Sequence, residues 1–262
     1  MKIIQINTVY RMGSTGKIVA DIKSVLEKNG DVAAVAYGRG EKLVDGLKTN
    51  TDFEFLCHAL YARIFDRQGF FSNRSTIRLI KYIDACNPDI VHLHNIHGYY
   101  LNIKLLFAYL KRRNKPIVWT LHDCWPFTGH CAHFDYIGCL KWRSGCSHCP
   151  QIREYPKSIL FDMSKRNYSD KKESFCNVKN LTLVVPSKWL SLIVKQSFLS
   201  DYPVHIINNG INLDVFQPTE SDLRKLYKLE DSKVVLGVAA PWTSRKGLAD
   251  IVNLAEMLPR NY

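Results

Sequence analysis

The chain has 262 residues, enough for one large α/β domain or for one domain and part of another. Hydrophobic residues make up 46% of it, as in soluble globular proteins, and no run of about 18 apolar residues predicts a membrane-spanning helix. The formal net charge is +12, and residues 213–262 are balanced, so the basic excess lies in residues 1–212. The sequence has no helix-turn-helix or aromatic RNA-binding motif, so nucleic acid is not an expected partner.

The order of the predicted elements indicates an α/β fold with a doubly wound parallel sheet. Apolar segments rich in β-branched residues alternate with segments of helical periodicity. The predicted strands are 2–7, 32–37, 89–94, 116–121, 181–186, 204–208 and 233–239. The predicted helices are 17–29, 75–86, 101–113, 188–198 and 247–258. A long irregular insertion at about 124–170 interrupts the alternation.

Segment 206–218, IINNGINLDVFQP, reads as a hinge between two α/β domains. An apolar strand runs into Asn209-Gly210, where glycine permits backbone angles closed to other residues, and Pro218 discourages regular structure beyond it. We therefore expect a first Rossmann-like domain at 1–205, the hinge at 206–218, and the beginning of a second Rossmann-like domain at 219–262.

Four polar clusters follow predicted strands. Because parallel strands of a doubly wound sheet bind ligands beyond their carboxyl ends, we expect these clusters to form one crevice. The candidate substrate-binding residues are Gly13, Ser14, Thr15, Gly16, Arg39, Asn95 and His97, and the candidate catalytic residues are His122 and Asp123.

The residue types in these clusters suit a polar, hydroxyl-rich ligand. Gly13 and Gly16 let backbone N–H groups approach a phosphate or sugar, although a tight turn without a ligand would look the same. Gly16-Lys17 is not a nucleotide P-loop, because Arg11 stands where that motif needs glycine. His122 can hydrogen-bond a substrate hydroxyl, and the adjacent Asp123 could orient it or bind sugar.

Five stretches resemble the family 4 retaining glycosyltransferases, which have the two-domain GT-B fold. The resemblance is to a bacterial branch that assembles capsular polysaccharide, exopolysaccharide or lipopolysaccharide, and it covers nearly the whole chain. It implies a nucleotide-sugar donor, a glycan or lipid-linked acceptor bound by the first domain, retention of anomeric configuration, and no metal required for catalysis. His122 would contact the transferred sugar. The stretches are Gly13–Gly16, Asp89–Gly98, Thr120–Phe127, Pro186–Trp189 and 206–218.

The donor side departs from the family pattern. An arginine and a lysine of the second domain usually bind the donor pyrophosphate; Lys246 matches the lysine, and Arg245 is a substitute for the arginine. Two cations beside a helix N-terminus would offset charge on a departing nucleoside diphosphate. The family's paired glutamates would lie beyond Tyr262, so we expect this chain alone to transfer little or no sugar.

Four cysteines fall within nineteen residues of the insertion. Cys146-x-x-Cys149 is typical of half of a zinc site, whereas Cys131 and Cys139 are more widely spaced than in common zinc ribbons. A structural zinc ion, free buried thiols and a redox or disulfide role all remain open.

The cellular location and two alternative functions are further expectations. The N-terminus lacks the apolar core and cleavage site of a signal peptide, so we expect a cytoplasmic location. The basic excess suits peripheral contact with an anionic membrane, although a solvated surface has the same composition. The chain could instead be a binding subunit of a split glycosyltransferase or a zinc-containing nucleic-acid-binding protein. The donor sugar, the linkage and the oligomeric state cannot be read from it.

Overall fold

A computed structural model describes residues 1–258 of the chain. The chain divides into two compact units, one formed by Met1–Gly210 and one that begins at Ile211. The division falls inside segment 206–218, whose role as a hinge stays a prediction. In residues 1–258 no helix is both long enough and apolar enough to cross a membrane.

The first unit is built on one seven-stranded sheet in which all the paired strands are parallel. The strand order is β3-β2-β1-β4-β5-β6-β7, so the chain winds outward from β1 on one side and then crosses to the other. This order confirms the predicted doubly wound α/β fold. The strands are β1 (Lys2–Tyr10), β2 (Val32–Gly40), β3 (Gly46–Lys48), β4 (Ile90–Leu93), β5 (Ile117–Thr120), β6 (Leu181–Val185) and β7 (Val204–Ile206).

The α-helices of residues 1–210 lie between these strands in the chain. Four were predicted, although α1 begins at Gly13 rather than at residue 17 and α6 is shorter than 188–198. The helices are α1 (Gly13–Lys28), α2 (Asp52–Phe65), α3 (Asn73–Cys86), α4 (Ile103–Arg113), α5 (Ser164–Phe175) and α6 (Lys188–Val194).

Two helices were not predicted, and each lacks a clean apolar stripe. In α2, large apolar side chains such as Phe53 and Leu56 are exposed, so the helical period is blurred. Its N-terminus did carry a readable signal, because Thr51 and Glu54 form a capping box. In α5, buried polar residues such as Lys171 replace the usual apolar ones.

The core joins the sheet to the helices and to the site. Trp119 of β5 is fully buried, and its ring lies 5.5 Å from Phe107 of α4 and 4.9 Å from Phe175 of α5. Its Nε1 donates to the carbonyl oxygen of His94 at 3.0 Å. The aromatic core therefore holds the first residue after β4, at the edge where the candidate site lies.

The insertion is irregular up to residue 163, but its predicted end, residues 164–170, is the first part of α5; buried polar groups fasten it to the core. Between residues 124 and 163 its only helical elements are three short 3-10 turns. The Lys171 ammonium donates to the carbonyl oxygens of Trp125 at 2.7 Å and Thr128 at 3.0 Å. The buried His130 ring bonds to the carboxylate of Asp66, just after α2.

The described part of the second unit contains α7 (Leu223–Leu226), a 3-10 turn at Ser244–Lys246 and α8 (Leu248–Met257). The predicted helix 247–258 corresponds to α8. The predicted strand 233–239 is wrong as a strand in this structure: the apolar run has no partner strand in residues 211–258 with which to form a hydrogen-bonded ladder. Residues 259–262 of the predicted second domain lie outside the described residues.

His58 of α2 is a buried histidine whose proton position is fixed by its partners. The Gly69 N–H donates to Nε2 at 3.2 Å, so in this arrangement Nε2 carries no proton and Nδ1 donates to the Ser72 hydroxyl at 2.7 Å. Burial lowers the pKa of His58 to about 3. The folded protein therefore holds this ring neutral at pH values where an unfolded chain would protonate it.

We expect the free energy of unfolding to fall as the pH drops from about 6.5 toward 4, because the unfolded state then binds a proton on His58 that the folded state excludes. This group contributes a slope of about 1.4 kcal/mol per pH unit. Urea unfolding at several pH values would show this slope reduced in His58→Gln and unchanged in His205→Gln, an exposed histidine of β7. Equal slopes in wild type and His58→Gln would contradict the assignment.

Candidate functional site

The carboxyl ends of β1, β4 and β5 form the edge at which most of the predicted site residues lie. β1 and β4 are neighbours in the sheet, yet the chain continues from β1 toward β2 and from β4 toward β5. Connections that diverge in this way leave a crevice between them. The chain after β1 enters α1 at Gly13, the chain after β4 carries Asn95 and His97, and the chain after β5 carries His122 and Asp123.

Asn7 joins two of these connections. Its side-chain oxygen accepts a hydrogen bond from the Asn95 N–H at 3.1 Å. Its side-chain nitrogen donates to the carbonyl oxygen of Val9 at 2.8 Å and approaches the Thr15 hydroxyl at 3.5 Å. Asn7 is fully buried, and sequence reasoning missed it. No local signal singled it out, because the same strand also carries the buried polar residue Gln5.

Gly98 lets the connection after β4 press against β1. Its φ angle is +106°, and a Cβ atom at this position would lie 2.2 Å from the Thr8 hydroxyl oxygen. A side chain here would collide with the Thr8 side chain, and this positive φ angle also favours glycine. The neighbouring His97 is thereby held at the crevice.

The segment Gly13–Gly16 was placed before the predicted helix 17–29, and this is wrong: it forms the first turn of α1. Gly13 supports this early start with a φ angle of +60°, and the Arg11 N–H donates to the carbonyl oxygen of Gly16 at 3.1 Å. Met12 gives no side-chain cap, and the first turn contains no acidic residue. Ser14 and Thr15 thus lie at a helix N-terminus, which favours an anionic or oxygen-rich ligand.

A row of imidazole rings crosses from β4 to the end of β5. His92 bonds to the Thr120 hydroxyl at 2.9 Å, and Nδ1 of His94 lies 3.2 Å from Nε2 of His122. The His94 and His122 rings are nearly parallel, with 10° between their planes. His94 is buried, whereas His122 is partly exposed and can be reached by a ligand.

These rings are neutral at physiological pH. Burial lowers the pKa of His92 and of His122 to about 4, and it lowers the pKa of His94 well below its ordinary value. Neighbouring imidazoles lower the three values as well, while the Asp123 carboxylate opposes part of the effect on His122. A neutral His122 can donate or accept a hydrogen bond without placing a positive charge in the crevice.

The carboxylate of Asp123 was expected to orient His122 or to bind sugar, and the structure instead pairs it with His97. Asp123 accepts from Nε2 of His97 at 2.9 Å and from the Trp125 N–H at 2.9 Å. Burial opposes ionisation of Asp123, but the charge and hydrogen bond of His97, with the Trp125 N–H, hold its pKa below the ordinary value.

Tyr155 of the insertion completes this chain of contacts. Its hydroxyl lies 3.2 Å from Nδ1 of His97 and 3.3 Å from the side-chain nitrogen of Gln68. The two ring nitrogens of His97 thus contact Asp123 on one side and Tyr155 on the other. Burial raises the pKa of Tyr155, which keeps the hydroxyl a donor. Sequence reasoning did not identify Tyr155.

Arg39 lies at the end of β2 beside the same crevice. It pairs with Val9 across the sheet, and its guanidinium carbon lies 4.6 Å from the centre of the Phe55 ring. Burial raises the pKa of the Tyr155 hydroxyl, and the positive charge of Arg39 opposes part of that rise. Arg39 is exposed, so a ligand can reach it.

The remaining predicted residues lie elsewhere. Arg245 and Lys246 belong to the second unit, in the exposed turn that precedes α8. The four cysteines of the insertion lie together around one small cavity. In residues 1–258, however, no group of three or more His, Cys, Asp or Glu side chains is already arranged to hold a metal ion.

Comparison with known proteins was made by family, by sequence and by structure. Residues 18–215 match the family model described as Glycosyltransferase Family 4. The chain is 28% identical over 233 residues to the "Putative colanic acid biosynthesis glycosyl transferase WcaC" of Escherichia coli K12. That match covers 81% of this chain and 55% of the relative, so the chain spans about half the length of the curated relative it matches.

Among solved structures, the chain is similar to a ugt transferase from Siraitia grosvenorii in complex with UDP. The identity is 14%, the TM-score is 0.40, and the match covers 88% of this chain and 54% of the other. The family match covers most of the chain, and on that basis the chain belongs to glycosyltransferase family 4.

Proposed function

We propose that this chain supplies the acceptor side of a glycosyltransferase that moves a sugar from a nucleotide-sugar donor to a glycan or lipid-linked acceptor in surface polysaccharide biosynthesis. Family membership supports the reaction class, and the printed name of the Escherichia coli relative supports the polysaccharide setting. Retention of anomeric configuration, and catalysis without a metal, belong to the same proposal. The observation that carries it is the convergence of Asn95, His97 and His122 at one crevice.

The crevice offers hydrogen-bonding groups of the kind that sugars require. The partly exposed His122 meets a sugar hydroxyl as a neutral donor or acceptor, while His94 holds its ring from behind at 3.2 Å. His97 is positioned by Asp123 and Tyr155 on either side. The N-terminus of α1 and the Arg39 guanidinium supply positive potential for an anionic group of the substrate. Arg245 and Lys246 of the second unit are proposed to bind the donor pyrophosphate.

The test is complementation of a strain from which the gene has been deleted, because the cell then supplies any other part of the enzyme. We expect His122→Ala to lower surface polysaccharide by about 10- to 100-fold, the loss produced by one or two hydrogen bonds in the transition state. His205→Ala, on the exposed end strand, should restore wild-type levels. Immunoblots check that the variants accumulate equally.

Two results would overturn the proposal. The first is full complementation by His122→Ala together with His97→Ala. The second is a purified protein that binds no nucleotide sugar and no saccharide in calorimetric titrations while remaining folded. Loss of polysaccharide in both the His122 and the His205 variants would indicate a general defect rather than a site at the crevice.

We further propose that the protein contacts an anionic membrane surface through one apolar patch. The patch consists of Phe53, Leu56 and Leu60 on α2 and of Ile159–Phe161 in the insertion. All six side chains are at least half exposed. The two parts are joined by the Ile159 N–H, which donates to the carbonyl oxygen of Arg63 at 2.7 Å. Arg63 and Lys157 are exposed beside the patch, which suits anionic headgroups.

Co-sedimentation with vesicles that contain anionic lipid measures this contact. Burial of a leucine contributes about 1.5–3 kcal/mol, so Leu56→Ser/Leu60→Ser should weaken binding by about tenfold or more. The matched control is Trp189→Ser/Leu192→Ser on α6, which also removes two exposed apolar side chains but precedes the strand at the opposite edge of the sheet. Equal binding by both double variants, or no binding of wild type at low salt, would contradict the proposed patch.

A further inference from the structure

We propose that Cys131, Cys139, Cys146 and Cys149 together bind one structural zinc ion in the insertion. All four line a single cavity of about 10 Å³. A cavity of that size has room for about one small body such as a water molecule or an ion. The sequence spreads these residues over nineteen positions, and the fold brings their side chains to one place.

Backbone N–H groups lie at two of the four sulfurs. The Gly129 N–H donates to the Cys146 sulfur and the Gln151 N–H to the Cys149 sulfur, while the thiols of Cys131 and Cys149 are hydrogen-bonded to each other. N–H groups aimed at sulfur orient and stabilise metal-bound cysteine. These contacts serve no purpose in the crevice chemistry, because none of these cysteines contacts the imidazole row.

Gly129 makes the close approach to Cys146 possible. A Cβ atom on Gly129 would lie 2.6 Å from Cβ of Cys146 and 2.2 Å from the carbonyl oxygen of Ser164. Position 129 therefore has no space for a side chain where the insertion passes Cys146. On the other side, the Phe134 and Trp142 rings lie 4.9 Å apart and close the cavity with apolar surface.

A metal ion explains why four thiols converge in a segment with so little regular structure. Residues 124–163 contain three short 3-10 turns and no longer helix or strand. Such segments need a cross-link to stay ordered, and one tetrahedral zinc ion would fasten four points at once. A disulfide would use only two of the four sulfurs. With four protein ligands and no open position, the site would be structural rather than catalytic.

The four cysteines line one cavity, but among residues 1–258 they are not already set as a ligand group, so zinc binding requires their side chains to move. Zinc would then hold the insertion that carries Tyr155, the hydrogen-bond partner of His97. The inference thus concerns folding of the insertion, and it does not depend on the proposed sugar transfer.

Metal analysis of the full chain, purified without chelator from zinc-supplemented medium, tests the proposal. We expect about one zinc ion per chain in wild type and less than about a tenth in Cys146→Ser/Cys149→Ser. The matched control is Cys57→Ser/Cys86→Ser, which removes two thiols that do not line the cavity and should leave the zinc content unchanged. Less than about a tenth of an equivalent in wild type would overturn the proposal.

A second measurement on wild type keeps the test decisive if the cysteine variants do not fold. Replacement of zinc by Co²⁺ should give thiolate-to-metal charge-transfer bands and the visible bands of a tetrahedral site. Absence of both bands in folded protein, or an intact mass lower by two hydrogens with Cys131 and Cys149 joined as a disulfide, would overturn it. If Cys146→Ser/Cys149→Ser contained as much zinc as wild type, the metal would be bound elsewhere, and this result would overturn the proposal too.

Discussion

The hydrogen bond from the Asn95 N–H to the side chain of Asn7 is the contact on which the candidate site depends. A doubly wound sheet brings the ends of β1 and β4 side by side but lets their connections diverge. Asn7, buried in the first strand, spans the two by contacting Asn95 on one side and approaching Thr15 on the other. Leaving a buried amide without such partners costs about 1–3 kcal/mol, so the hydrogen bonds of Asn7 favour this arrangement of the two connections.

Neutral imidazoles are the second constraint. Burial holds the pKa of His92 and of His122 near 4, so the row carries hydrogen bonds without charge at neutral pH. A charged ring would attract anions of every kind, whereas a neutral ring discriminates by donor and acceptor position, as recognition of sugar hydroxyls requires. The positive potential is placed apart from this row, at the N-terminus of α1 and at Arg39.

Much of the fold could be predicted because alternating apolar and amphipathic segments are local features of the sequence. Six of the seven predicted strands join the sheet, and each was marked by apolar, mostly β-branched residues. Strand 233–239 failed because a strand also needs a partner. The position of His122 could be predicted from its place after a strand, but its partner could not: the carboxylate that lies next in sequence, Asp123, contacts His97, twenty-six residues away. Asn7 and Tyr155 depend on tertiary contacts that no local pattern reveals.

Hydrogen–deuterium exchange of wild type and Asn7→Ala tests the central claim most directly, because it needs no substrate. If Asn7 joins the two connections, exchange should become faster in both 13–16 and 94–98, while β6 stays protected as it is in wild type. Faster exchange in neither segment, or in only one of them, would show that the connections are held independently and would contradict the account. Protection of β6 confirms that the variant remains folded.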